Sequence, residues 1–277
     1  MDRSDHYLYV QQNLALLEQQ IKLVKKATQI AIGKHAWQEV NHYDVHQLEA
    51  SQKEILAGTR LYTFLVCSWL EARITKVFYE NSSVAFTDSE INTIMYSDVS
   101  RRRKRTMEQI WKLSFSAAVQ KSYGFSAHTG VVYDYSSEFP AESTGLLNYQ
   151  TILGLFSDIT EAITVRNRLA HGQWYVQFNS SNTAVEHYVL LTKYDNIQKL
   201  GHLKDYFDQI GEIISMYVVY KDKRNANFDN IVAKRIQLIV DKKFKADCMD
   251  YAKYVAQLRR NYEAQRDRNK REIQSDS

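Results

Sequence analysis

The residues with the most chemical promise lie in one run, Val165-Arg166-Asn167-Arg168-Leu169-Ala170-His171-Gly172. Asn167 and His171 are four apart, so on a helix they share one face. Arg166 is one residue back, and its long guanidinium arm can swing toward the same space. Together they offer a planar cation for a phosphate, an amide to orient it, and an imidazole that exchanges a proton near neutral pH. Those are the parts needed to cut RNA without a metal. The RNA brings its own nucleophile, the 2′-OH, and the protein moves protons and stabilises charge on the phosphorane. A histidine at a helix C-terminus also serves as a plain dipole partner, and an arginine serves there equally well.

The elements around this run must position it. From Leu146 to Thr164 the chain reads as an apolar helix. Ile152, Leu155, Phe156, Ile159, Ile163 and Val165 recur at near-helical spacing, with Ser157, Asp158 and Glu161 on the other side. Gly172 stops the helix, as a glycine just past a C-terminus does. The strand-like WYVQF and HYVLLT that follow flank NSSNTAVE, which predicts a β-hairpin near 173–193.

Upstream, 5–33 and 45–80 read as long helices, the first amphipathic and the second the most apolar segment of the chain. Within the second, Glu71 and Arg73 stand among apolar neighbours, where a helical salt bridge explains them without any function. A third helix is expected near Asp88, with Thr87 or Asp88 as its N-cap. The densest charge block, Arg101-Arg102-Arg103-Lys104-Arg105, follows. Five adjacent cations repel one another unless an anion lies near, so the block suits RNA or an acidic partner surface. A solvated helix start is the alternative. Residues 122–148 form a Tyr/Ser/Gly-rich connection with the only proline, Pro140, and with His128; it directly precedes the motif helix. Helices are expected again over 195–220, with Ile197, Leu200, Leu203, Phe207, Ile210, Ile213, Ile214 and Tyr217 as the apolar stripe, and over 228–273. The end of the last carries few apolar residues and is expected to fray.

Composition agrees with a mainly α fold. Only 9 Gly and 1 Pro occur in 277 residues, and 44% of residues are hydrophobic, enough for a sizeable core. Two cysteines, Cys67 and Cys248, make neither a disulfide framework nor a metal site. His35, His42 and His46 lack the carboxylate or Cys pattern that would complete a metal site. We expect no metal and no cofactor. The polar N-terminus has no apolar signal core and no run reaches membrane-spanning length, so a cytoplasmic protein without membrane attachment is expected. Net charge is +4, but residues 221–277 hold 15 Lys and Arg against 9 Asp and Glu, which leaves −2 for the remainder. That asymmetry divides the chain into 1–222, a helical domain with the hairpin, and 223–277, a basic C-terminal helix.

An Arg-Asn-x-x-x-His-Gly run near the end of an apolar helix, in a mostly helical chain, resembles the HEPN superfamily of ribonucleases. That family carries an Arg and a His separated by four to six residues, usually with Asn directly after the Arg. Arg166, Asn167 and His171 match that pattern. The resemblance spans 51–220, and only the motif is specific. It implies a helical bundle with a small hairpin and a metal-independent endoribonuclease that leaves 2′,3′-cyclic phosphate ends. It implies a homodimer whose two motifs face each other across a two-fold axis, and a role as a toxin or antiviral effector. An acidic residue from an early helix often faces the motif; Glu71 is the candidate. Some toxin members are silenced by an antitoxin that modifies a Tyr two residues after the His. Here that position is Gln173, with Trp174 and Tyr175 next, which puts such regulation in doubt. A non-catalytic module that binds nucleic acid or a partner protein is the rival reading.

Overall fold

The computed structural model describes residues 2–80, 86–126, 134–170, 177–178, 185–186, 196–219 and 226–275. His171, Gly172, Gln173, His128 and most of the predicted hairpin loop lie outside them. The described chain is mainly α-helical, as composition and periodicity predict.

Helix α1 (Arg3–Val40) begins at a capping box in which Asp2 and Asp5 satisfy each other's free N–H groups. It runs beyond the predicted end because Gly33 is helical rather than terminal. A tight turn with His42 at φ 56° reverses the chain into α2 (Val45–Phe78), capped by Asp44. Pairs such as His35–Ser51, Lys34–Glu54 and Glu18–Trp69 show α1 and α2 packed antiparallel. Helix α3 (Asp88–Met95) starts on Thr87, one of the two expected caps, with a Thr87–Glu90 capping box.

The basic block is neither a helix nor a helix start. Tyr96–Asp98 (β1) and Arg103–Lys104 (β2) pair antiparallel with an irregular register, and Arg101 and Arg102 form the turn. Asp98 Oδ1 accepts from Ser100 Oγ at 2.6 Å and from the Arg101 N–H at 3.1 Å, which closes the turn locally. Arg102 sits at φ 50°. The helix starts just after the block: α4 (Met107–Tyr123) is capped by Thr106 with Gln109 and ends on Gly124 at φ 66°.

The predicted motif helix is two. Helix α5 (Thr144–Leu155) is capped by Ser143, and α6 (Ser157–Ala170) follows across Phe156. Gly154, a weak helix former, precedes the break, and the Ser157 hydroxyl donates to the Gly154 carbonyl at 3.2 Å, competing with the backbone bond. The connection before α5 is shorter than expected, since helix reaches Tyr123 and resumes at Thr144. Gln177–Phe178 (β3) pairs antiparallel with Val185–Glu186 (β4), so an antiparallel pair stands where the hairpin is predicted. Its second strand falls within the expected loop; 187–192 lie outside the described residues.

Helix α7 (Ile197–Val219) carries the predicted stripe, and Ile197, Leu200, Leu203, Phe207, Ile210, Ile213, Ile214 and Tyr217 are all buried. It lies against α2, α4 and the next helix, α8 (Ala226–Asp247). Trp111, Phe115, Phe156, Phe207 and Tyr217 form an aromatic centre where α4, the α5–α6 break and α7 meet. Such side chains contribute about 2–3 kcal/mol each on full burial. The predicted last helix breaks at 248–250, where Asp250 Oδ1 accepts from the Lys253 N–H and starts α9 (Tyr251–Ser275). Helix α9 lies along α1. Gln29 Nε2 donates to Tyr254 Oη, the rings of Trp37 and Tyr262 lie 6.1 Å apart, and Arg266 stacks 4.0 Å over Trp37. A Cβ on Gly33 would sit 2.5 Å from the Leu258 carbonyl, so glycine sets how close the two helices come. Among the described residues no helix is long and apolar enough to cross a membrane.

Candidate functional site

Helix α6 packs on α2, and the two share a short polar ladder. Cys67 Sγ donates to the Ala162 carbonyl at 3.3 Å, and one turn further along each helix Glu71 meets Arg166. Arg166 Nη2 donates to Glu71 Oε2 at 2.8 Å and Nη1 to Asn167 Oδ1 at 3.0 Å. The guanidinium also lies 5.8 Å over the Phe64 ring. Its Nε is buried without a hydrogen-bond partner among the described residues. The pair is neither deep nor free: the side chains are 23% and 28% exposed. A pair in that setting contributes about 1 kcal/mol at most to stability. Its main consequence is orientation, because three contacts from three residues fix the plane of the guanidinium.

Cys67 is fully buried beside this pair. Burial pushes its thiol up to about 12, the Glu71 carboxylate adds to the rise, and Arg166 opposes it. It therefore stays a thiol at neutral pH and packs as a small apolar group.

Arg166 and Asn167 border a cavity of about 270 Å³. Helix α2 gives it Glu71. Strand β2 and the residues after it give Lys104, Arg105, Thr106, Met107 and Glu108, and α6 gives Thr160, Ile163 and Thr164. The first turn of α4 is part of this wall, so the positive end of that helix adds to the cations. Glu108 is already matched. Burial would raise its pKa, but hydrogen bonds from Lys112 and Thr160 outweigh that and hold the carboxyl below its usual range.

Sequence reasoning and structure meet here in part. Arg166, Asn167, Glu71, Lys104 and Arg105 come together at one cavity. Arg101, Arg102 and Arg103 do not line it: Arg101 is 86% exposed and pairs with Asp98 at the turn. His171, the next residue after the described end of α6, lies outside the described residues. The threonines went unnoticed in the sequence, though a signal was present. Thr160, Ile163, Thr164 and Asn167 stand at i, i+3, i+4 and i+7, the spacing of one helical face. Apolar periodicity alone hides such a face, because of these four residues only Ile163 belongs to the apolar stripe. The histidines upstream do not gather. His35 lies 2.6 Å from Ser51 Oγ and beside Glu39, while His42 sits in the turn and His46 on the exposed start of α2. Among the described residues no three His, Cys, Asp or Glu side chains group as metal ligands would.

No family model matches the chain, and no curated protein and no solved structure matches it.

Proposed function

We infer that the chain is an endoribonuclease of the HEPN type, working without a metal. One observation carries the reading: Arg166, flanked by Asn167 and oriented by Glu71, borders a concave site that also holds Lys104 and Arg105. A cation already held in one plane is suited to grip a phosphate through two parallel N–H donors.

In this reading Arg166 binds the scissile phosphate and Asn167 orients it or the histidine. By sequence spacing His171 falls on the Asn167 face and carries the proton. The 2′-hydroxyl of the RNA loses its proton to a base and its oxygen attacks the adjacent phosphorus. The bond to the 5′-oxygen breaks, and that oxygen takes a proton from an acid. The products are a 2′,3′-cyclic phosphate and a free 5′-hydroxyl, so no water and no cofactor enters the step. Base and acid are two jobs, and a homodimer that joins two motifs supplies two histidines for them. A toxin or defence effector, held in check by a partner protein, is the role that fits an RNA-cutting activity of this kind.

The rival is a non-catalytic module that binds nucleic acid or a partner protein. The observation in its favour is that two nitrogens of Arg166 already have protein partners.

The two readings part at His171. Replacement by Ala should abolish cleavage of single-stranded RNA and leave the melting temperature within a few degrees, since a helix-end histidine contributes about 1 kcal/mol or so. Retained cleavage, or simple unfolding, would give the site to the binding module.

A further inference from the structure

The basic block is five residues long, but the fold splits it. Arg103 and Lys104 follow one another on β2, and successive side chains on a strand point to opposite faces. Of the five cations only Lys104 and Arg105 line the cavity with Arg166. Their end of the hairpin is also the fixed end. The Arg105 N–H donates to the Met95 carbonyl at 2.9 Å, and Arg105 Nε donates to the Thr93 carbonyl at 3.3 Å. Thr106 then caps α4 directly. Lys104 thus ends a paired strand just before a capped helix, and its backbone needs no ordering when a ligand arrives.

The charge around it is uneven. Of the two carboxylates that line the cavity among the described residues, Glu71 is matched by Arg166 and Glu108 by Lys112. Neither acid is paired with Lys104, which therefore adds positive potential in a concave space that concentrates it. The volume, about 270 Å³, lies below the range that encloses a drug-sized molecule. It fits a stretch of sugar–phosphate backbone with the bases left outside.

We propose that Lys104, with Arg105 beside it, holds the phosphate next to the one held by Arg166, so that the site grips two successive phosphates of one RNA strand. This rests on Arg166 as a phosphate ligand, and it assigns Arg101 at the turn and Arg103 on β2 no phosphate of their own.

The test uses a 2′-O-methyl oligoribonucleotide, which has no free 2′-hydroxyl and so binds without being cut. Its affinity is measured against salt for the full chain, for Lys104→Gln, and for an Arg101→Gln/Arg103→Gln double variant. Lys104 is exposed, so its replacement should not disturb the fold. Losing one phosphate contact on a single strand should flatten the log–log salt slope by about 0.7, which is about fivefold in affinity at 0.1 M salt. The double variant should change the slope less than Lys104→Gln does, although it removes two charges. An unchanged slope in Lys104→Gln, or a larger change in the double variant, overturns the proposal. If the full chain does not bind the probe, the proposal and the RNA reading both fall. If it binds the probe with the expected slopes but leaves natural RNA uncut, the phosphate site stands and cleavage alone is lost.

Discussion

Arg166→Ala is expected to lower RNA cleavage by about 10²–10³-fold, the usual loss when one preorganised donor to a developing oxyanion is removed. Arg166→Lys should be nearly as poor. A lysine is a point charge and cannot make the two parallel bonds of a guanidinium to a phosphate. Neither change should unfold the protein. Glu71, the residue left behind, is 28% exposed and can take up water in place of its partner. Arg168→Ala is the control. It is two residues away, about 200° around the helix, and it does not line the cavity. Single-turnover cleavage measured beside thermal melting separates the cases. Equal losses in the Arg166 and Arg168 variants would mean that α6 needs its arginines for packing, not for phosphate.

The largest effect on stability is expected at Arg73→Ala. Arg73 is 3% exposed; its Nε donates to Asp208 at 2.9 Å and its Nη2 to Glu212 at 2.5 Å, joining α2 to α7. Gly211 lies against the guanidinium, where a Cβ would come within 2.7 Å of Cζ. Removing one partner from a buried pair costs about 3–5 kcal/mol. Asp208 and Glu212 are 40% and 47% exposed and regain some hydration, so the lower end applies. About 3 kcal/mol in a chain of this size lowers the melting temperature by roughly 6–12 °C. Asp208 and Glu212 are also four apart on one helix and repel each other once the cation has gone. A melting temperature within a degree of the parent would show that this network fixes geometry without adding stability.

How much of this could be seen in the sequence depends on the kind of signal. The stripe of α7 was legible because all eight positions bury against one surface, and burial is what apolar periodicity records. The long α2 was legible for the same reason, and the start of α3 was legible to within one residue, Thr87 or Asp88, because both side chains can accept from a free helix N–H. The break at Phe156 was not, because Phe156 is itself buried and keeps the stripe unbroken while Ser157 bends the backbone. The break at 248–250 hides in the same way, in a charged segment where only Asp250 marks a new start. The hairpin in the basic block was hidden because Arg101–Arg105 has no alternation and no glycine at the turn; Asp98 and a positive φ at Arg102 make the turn instead. At the site, the reach of the Arg166 arm toward the Asn167 side was legible, because it depends only on neighbours in the chain. That Glu71 meets Arg166, and that Lys104 reaches the same cavity while Arg103 does not, are facts of how α2, α6 and the hairpin come together.

The central question is whether this cavity cuts RNA by the 2′-hydroxyl route. The direct measurement is to incubate the purified chain with a single-stranded RNA in excess EDTA and analyse the new ends. Cleavage should survive chelation, leave 2′,3′-cyclic phosphate and 5′-hydroxyl ends, and be absent on the same strand carrying 2′-O-methyl groups. Cleavage that stops in EDTA and returns with a divalent ion, or ends that carry a 5′-phosphate, would contradict that route.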